Sequence, residues 1–196
     1  MKKQKICIIG GGLTGLITAV ALSKLNLKID LITENTNQNI KSNRTTAISQ
    51  DNYDYLKKSG IFKFSEKDFW PCSEIKLYTE NKNKKFNEVF KFSERKNKKV
   101  FYMASNYKIM KNVIRKIKKE KLISVKLEKK ISEIVSSGLL KSLKFEDIDH
   151  SKYNLIIICA GYNSNLLNNF FRNTVFKKCY NEIAITTILK HDFLKN

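Results

Sequence analysis

Three glycines near the amino terminus, Gly10, Gly12 and Gly15, have the spacing G-x-G-x-x-G. In this motif the first glycine makes a tight turn, the second lets the backbone approach a pyrophosphate, and the third lets a helix pack closely on a strand. The helix that follows directs its N-terminal amides and its dipole toward the phosphates. Together with the intervening Gly11 and Thr14, these residues predict a dinucleotide site.

The segments around the motif are those that such a site needs. Ile6–Ile9 is a short, continuous apolar run, which predicts a strand covered on both faces. Leu13–Leu25 predicts a helix, and Lys28–Thr33 predicts a second strand, as in a β-α-β unit. Glu34 follows 19 residues after Gly15, near the spacing of the acid that holds an adenosine ribose. A glycine turn without a ligand is the alternative interpretation.

The composition indicates a globular and strongly basic chain. Of its 196 residues 42% are hydrophobic, and 38 Lys and Arg against 18 Asp and Glu give a net charge of +20. The lysines are spread over almost every segment and are not interleaved with aromatic residues. We therefore expect solvated lysine faces and no specific nucleic-acid binding. The glycines interrupt the first apolar segment, which argues against a signal peptide.

Cysteine and histidine usage adds two expectations. Cys7 and Cys159 lie in apolar runs, and no C-x-x-C pair occurs among the four cysteines. This pattern predicts small core residues in a reducing compartment, and hence a cytoplasmic protein. With only His150 and His191 in the chain, no metal-ligand pattern is visible, so no metal site is predicted.

Patterning predicts further elements in the first half of the chain. Ser49 is the predicted N-cap of a helix that runs through Lys58, and Gly60 ends that helix. Glu74–Thr79 and Phe86–Phe92 each suit a strand, and a turn separates them. They predict an antiparallel pair that begins a second sheet.

The second half of the chain returns to a strand–glycine–helix arrangement. Asn106–Lys121 predicts a basic amphipathic helix, whose apolar stripe we expect to cover a sheet rather than to dock on a membrane. Tyr153–Gly161 predicts another buried strand, and Gly161 would line the same nucleotide crevice. Asn163–Phe170 predicts a short helix and Lys178–Lys190 an alternating strand. Shorter strand candidates are Ser124–Leu127, Ile131–Val135 and Leu139–Phe145.

Four stretches together resemble the aromatic-ring flavin monooxygenases, and most closely the ubiquinone-biosynthesis hydroxylases. They are the fingerprint Gly10–Gly15, the Arg-Thr-Thr-Ala-Ile run within Asn43–Ser49, the segment Val100–Asn106 before a helix, and Tyr153–Ser164. Their order and spacing fit along the whole chain. The first two stretches are the more specific.

The resemblance implies an α/β, Rossmann-like fold that binds FAD, with an antiparallel β-sheet substrate domain inserted into it. Residues 1–72 and 101–172 would form the discontinuous FAD-binding domain. Residues 73–100 and 173–196 would form an incomplete substrate-domain sheet.

The resemblance also implies a set of cofactor-binding residues. The glycines of the fingerprint would hold the FAD pyrophosphate, Glu34 would hold the adenosine ribose, and Arg44 would lie against the phosphates. The whole set is Gly10, Gly11, Gly12, Thr14, Gly15, Glu34, Arg44 and Gly161. No catalytic side chain is assigned.

Family chemistry uses NAD(P)H to reduce the flavin, which then transfers one oxygen atom of O2 to an electron-rich aromatic ring. A quinone precursor is the substrate class that the resemblance implies. For so apolar a substrate we also expect peripheral contact with the inner face of the membrane.

Three features depart from the family pattern. Thr33 competes with Glu34 for the ribose position, and Ala160 stands where the family has an aspartate before Gly161. Family members are also roughly twice as long, so we expect an N-terminal part of a monooxygenase that a C-terminal segment complements. Two alternatives stay open, an NAD(P)-binding reductase domain and a non-catalytic basic binding module.

Overall fold

The computed structural model describes residues 3–33, 43–61, 63, 65–83, 85–94, 98–127, 131–146 and 150–161, and five single residues beyond them (178, 180, 182, 183 and 185). The chain divides into two compact units, Met1–Ser164 and Asn165–Asn196. All helices and strands given below belong to the first unit.

The described residues form three α-helices and twelve strands. The helices are α1 (Leu13–Ser23), α2 (Gln50–Ser59) and α3 (Asn106–Ile117), with a short 3-10 helix at Glu66–Asp68. The strands are β1 (Lys5–Ile9), β2 (Lys28–Thr33), β3 (Thr45–Ser49), β4 (Phe69–Cys72), β5 (Glu74–Glu80), β6 (Phe86–Ser93), β7 (Phe101–Ser105), β8 (Ile123–Leu127), β9 (Ile131–Ser137), β10 (Leu140–Phe145), β11 (His150–Tyr153) and β12 (Leu155–Ile158).

Four parallel strands form the central sheet, in the order β12-β1-β2-β8. In the middle of this sheet Ile8 pairs with Ile157 on one side and with Leu31 on the other. The apolar runs Ile6–Ile9 of β1 and Leu155–Ile158 of β12 suit strands with both faces covered. The predicted strand Lys28–Thr33 is confirmed residue for residue.

Different elements cover the two faces of the central sheet. Ile8 and Leu31 share a core cluster with residues of α1 and with Ile109 of α3, so these helices cover one face. Successive strand residues point to opposite faces. Asp30 therefore points to the other face, where Tyr153 of β11 donates a hydrogen bond to it. The antiparallel sheet β11-β10-β9 contributes this second layer.

A smaller antiparallel sheet, β3-β7-β4, extends the same core. Tyr53 of α2 stacks on Tyr102 of β7 with ring centroids 3.7 Å apart, and it meets Phe69 of β4 edge-on at 5.5 Å. Pro71 lies in β4, which is an edge strand and therefore tolerates a residue without an N–H.

The observed ends of α2 agree with the predicted ends, whereas α3 is shorter than predicted. Ser49 accepts a hydrogen bond from the Asn52 N–H at 3.3 Å, and Gly60 ends α2 with φ of 54°. Both predicted ends of this helix are confirmed. Helix α3 begins at Asn106 as predicted but ends at Ile117, before Lys121. Its apolar stripe is buried, which confirms that it faces the core.

The predicted single strand Tyr153–Gly161 is wrong at both ends, because β12 covers only Leu155–Ile158. Tyr153 ends β11 of the antiparallel sheet, and Asn154 links it to β12 of the parallel sheet. Asn154 exchanges hydrogen bonds with Lys5: its N–H donates to the Lys5 carbonyl, and its side-chain oxygen accepts from the Lys5 N–H, both at 2.8 Å. One polar residue in an otherwise apolar run therefore separates two sheets.

The predicted antiparallel pair is confirmed as the hairpin β5–β6. The predicted helix Asn163–Phe170 lies outside the described residues, and so does most of the predicted strand Lys178–Lys190. The predicted domain boundaries remain a prediction.

Candidate functional site

The glycine turn joins the carboxyl end of β1 to the start of α1. Gly10 has φ of +117°, a conformation that favours glycine, and its N–H donates to the Ile32 carbonyl at 2.8 Å. A Cβ added at Gly10 would overlap the Cys159 carbonyl oxygen. The Cys159 N–H in turn donates to the Ile9 carbonyl at 2.7 Å. The turn is therefore wedged between the ends of β2 and β12.

Gly11 and Gly15 are also confined by the protein itself. A Cβ at Gly15 would overlap the carbonyl oxygen of Gly10, so this glycine lets α1 approach the turn. A Cβ at Gly11 would overlap the Thr33 hydroxyl at the end of β2. Internal packing is therefore sufficient reason for glycine at both positions.

Gly12 differs from the other glycines of the motif. A Cβ added there would meet no atom within 4 Å. Its backbone is extended, with φ of −71° and ψ of 175°, which any residue adopts. Neither sterics nor conformation requires glycine at this position. The missing side chain leaves room for a ligand at this position. Close approach of a pyrophosphate to the backbone would require such room.

The N-terminus of α1 is suited to an anion. Gly12 is the N-cap and makes no side-chain capping bond, and the first turn carries no acidic residue. The amides of this turn, like those of any helix start, have no partner within the helix. Thr14 lies in the same turn with its side chain exposed. The turn thus offers amide donors and a positive dipole end without a competing carboxylate.

The remaining predicted site residues lie on other elements. Gly161 is exposed and follows Cys159, the residue that contacts the turn, by two positions. Arg44 is exposed just before β3, and its carbonyl accepts from the Asn106 N–H at the start of α3 at 3.1 Å. Glu34 lies outside the described residues. Thr33, its competitor for the ribose position, is buried.

A polar cluster lies on the face of the central sheet that α1 and α3 do not cover. The Asp30 carboxylate accepts from the Tyr153 hydroxyl at 2.8 Å and pairs with Lys5 and Lys126 at 3.0 and 3.1 Å. Burial alone would raise the pKa of Asp30, but these three partners hold it below its ordinary value. Burial, aided by the Asp30 charge, raises the pKa of the Cys7 thiol to about 12. This cluster ties the antiparallel sheet to the parallel one.

The sequence analysis did not predict the cluster around Asp30, although the position of Asp30 in its strand indicates it. Asp30 interrupts an otherwise apolar strand, and a buried carboxylate requires partners. The contacts of Thr33 and Cys159 with the glycine turn were also missed, because they depend on which strands are neighbours. Among the described residues no group of histidine, cysteine or acidic side chains could hold a metal ion.

Comparison with known proteins supports the fold. No protein-family model and no curated protein matches the sequence. Solved structures do match: a probable FAD-dependent monooxygenase from Pseudomonas aeruginosa, pqsL, has a TM-score of 0.72 at 12% identity, covering 91% of this chain and 48% of that one. The p-nitrophenol 4-monooxygenase PnpA from Pseudomonas putida DLL-E4 has a TM-score of 0.63 at 15% identity, covering 85% and 43%.

A third structure, 2,6-dihydroxypyridine-3-hydroxylase from Arthrobacter nicotinovorans, has a TM-score of 0.62 at 14% identity, covering 87% and 40%. The chain thus has a mixed α/β fold of the kind found in FAD-dependent monooxygenases. It spans less than half the length of each of these three structures.

In the part of the chain that the structure describes, no helix is both long and apolar enough to cross a membrane.

Proposed function

We propose that the glycine turn is the pyrophosphate site of a Rossmann-type FAD-binding fold. The observation that supports this most directly is the open space at Gly12, beside amides that have no partner within α1. Because the fold does not need glycine there, a bound phosphate group is the simplest reason for it. The fold shared with FAD-dependent monooxygenases favours FAD as the dinucleotide.

In this proposal the chain's own residues bind and orient the cofactor. Amides of Gly11, Gly12 and the first turn of α1 donate to the pyrophosphate oxygens, and Thr14 adds a hydroxyl. The Arg44 guanidinium neutralises phosphate charge. Glu34 or Thr33 hydrogen-bonds the adenosine ribose, and Gly161 lies beside the cofactor.

We further propose that the complete enzyme is a flavin-dependent monooxygenase of an aromatic ring. Bound FAD would supply the oxygen-transfer chemistry, with NAD(P)H as reductant. A quinone precursor is the proposed substrate and the cytoplasm the proposed location. Because the chain spans less than half of the matched structures, this activity is proposed with a complementing C-terminal segment.

An NAD(P)-binding reductase domain is the second candidate, since the same glycine turn serves nicotinamide dinucleotides. The topology favours FAD. Between β8 and β12 the chain forms an antiparallel three-stranded sheet, whereas a simple Rossmann domain continues with alternating strands and helices.

The two candidates separate in one binding experiment. The purified chain is mixed with FAD, NADH or NADPH, and the bound fraction is measured after gel filtration by its absorption spectrum. We expect a yellow protein with FAD, and a colourless protein from the Gly12→Asp variant. Retention of a nicotinamide nucleotide without retention of flavin would favour the reductase domain.

A further inference from the structure

On one face of the hairpin β5–β6, two carboxylates, those of Glu74 and Glu88, are paired with lysines. Glu74 pairs with Lys76 at 3.2 Å and with Lys91 at 2.7 Å. Glu88 pairs with Lys76 at 3.6 Å and accepts a hydrogen bond from the Tyr78 hydroxyl at 3.4 Å. Both carboxylates are thus satisfied within the hairpin, on what we call the ionic face.

The other face of the hairpin is apolar. Ile75 pairs with Phe92 and Leu77 with Phe90, and a bulge after Leu77 adds Val89. We call these five side chains the apolar face. Four of them are large and between 42% and 60% exposed. Among the described strands β5 and β6 pair only with each other. An exposed apolar patch of this kind marks a site of interaction.

Basic residues lie at both ends of the apolar face. Lys82 and Lys85 are exposed in the turn that joins the two strands. At the other end, Lys98 is exposed after β6, and Lys99 is half-buried with its Nζ donating to the Ser73 hydroxyl at 2.9 Å. The hairpin therefore presents an apolar centre with exposed lysines at both ends, beside the exposed Glu80 and Glu94.

The charge decides between two occupants of the apolar face. Two copies of a chain with a net charge of +20 repel each other, which opposes a dimer formed through this face. An anionic surface attracts the same charges, by about 1 kcal/mol for each lysine or arginine close to a membrane. Apolar side chains flanked by lysines are also typical of segments that lie in a membrane interface.

We propose that the apolar face of the β5–β6 hairpin docks on an anionic lipid bilayer. The apolar side chains enter the boundary between headgroups and acyl chains, and the lysines at both ends extend to the lipid phosphates. This surface is distinct from the glycine turn and does not depend on FAD binding.

Vesicle co-sedimentation of the full chain tests this proposal with a matched pair of variants. The vesicles are pure phosphatidylcholine, or an equal mixture of phosphatidylcholine and phosphatidylglycerol. Phe90→Gln removes an aromatic ring from the apolar face, and Phe86→Gln removes one that is 71% exposed and pairs opposite Glu80 on the ionic face. Circular dichroism checks that both variants are folded.

We expect the chain to bind the mixed vesicles and not the pure phosphatidylcholine vesicles. Phe90→Gln should weaken this binding by about tenfold or more, as loss of one buried phenylalanine predicts. Phe86→Gln should leave it unchanged. Replacing both Lys82 and Lys85 with glutamine should weaken binding by about fivefold for each lysine.

Three results would overturn the proposal. The first is no binding to the mixed vesicles. The second is an equal loss of vesicle binding in the Phe90→Gln and Phe86→Gln variants, because the apolar face would then contribute no more to binding than the ionic face. The third is a concentration-dependent dimer that Phe90→Gln abolishes, which would make a second copy of the chain the occupant.

Discussion

Replacing Gly12 with aspartate should change stability and cofactor binding in opposite directions. The new side chain enters open space and keeps an allowed backbone conformation, so no steric cost is expected. Aspartate is a better N-cap than glycine by a few tenths of a kcal/mol. It also interacts favourably with the dipole of α1, by about 0.3–1 kcal/mol. Loss of a glycine from the unfolded chain adds about 0.4–1 kcal/mol. The ligand-free variant should therefore be about 1–2 kcal/mol more stable than the wild type.

The same carboxylate should prevent FAD binding. It would occupy the space proposed for the pyrophosphate, at the start of α1. Two like charges about 4 Å apart near a protein surface repel by about 4 kcal/mol. This free energy corresponds to about a thousandfold loss of affinity. FAD binding is measured by quenching of flavin fluorescence, and the free energy of unfolding by urea denaturation without FAD.

Two control variants isolate the role of Gly12. In Gly15→Ala the added Cβ overlaps the Gly10 carbonyl, so stability itself should fall, by about 1–3 kcal/mol or more. Asn83→Asp adds the same charge in an exposed turn and should change neither property. If Gly12→Asp destabilises the ligand-free chain as strongly as Gly15→Ala does, the fold itself requires glycine at position 12. Wild-type FAD affinity in Gly12→Asp would show that the pyrophosphate does not bind beside residue 12.

Three further predictions concern the fold. Because partners lower the folded-state pKa of Asp30, its contribution to stability is full above the unfolded pKa of about 3.9 and is lost as the pH falls through the folded value. Urea denaturation from neutral to acidic pH should show this acid-side loss in the wild type and a smaller loss in Asp30→Asn; parallel pH profiles would contradict it. Tyr153→Phe removes a hydrogen bond to a charged group and should lower the free energy of unfolding by about 1.5–3 kcal/mol, and an unchanged urea midpoint would count against the cluster. Ser49→Ala removes the N-cap of α2 and should cost about 1 kcal/mol in the same assay, whereas Ser49→Asp should keep most of that stability.

Local signals in the sequence were enough to predict the elements that form the candidate site. The apolar run of β1, the glycine spacing and the strand Lys28–Thr33 each depend on nearby residues only. The same holds for α2, whose ends are determined by the capping residues Ser49 and Gly60.

Features that depend on distant neighbours could not be predicted in this way. β3 was not predicted, because its five residues become a strand through pairing with β7, more than fifty positions later. The boundary at Asn154 depends on hydrogen bonds to Lys5, at the other end of the chain. Likewise, the sequence shows that Gly12 belongs to a motif, but only the fold shows that no protein atom requires glycine there.

A calorimetric titration of the full chain with FAD, FMN and ADP shows whether the glycine turn binds a pyrophosphate. If the glycine turn holds a pyrophosphate, FAD should bind with one site per chain, ADP should compete with it, and FMN, which lacks the adenosine diphosphate half, should bind far more weakly. A folded chain that binds none of the three, or that binds FMN as tightly as FAD, would contradict a pyrophosphate site at the glycine turn.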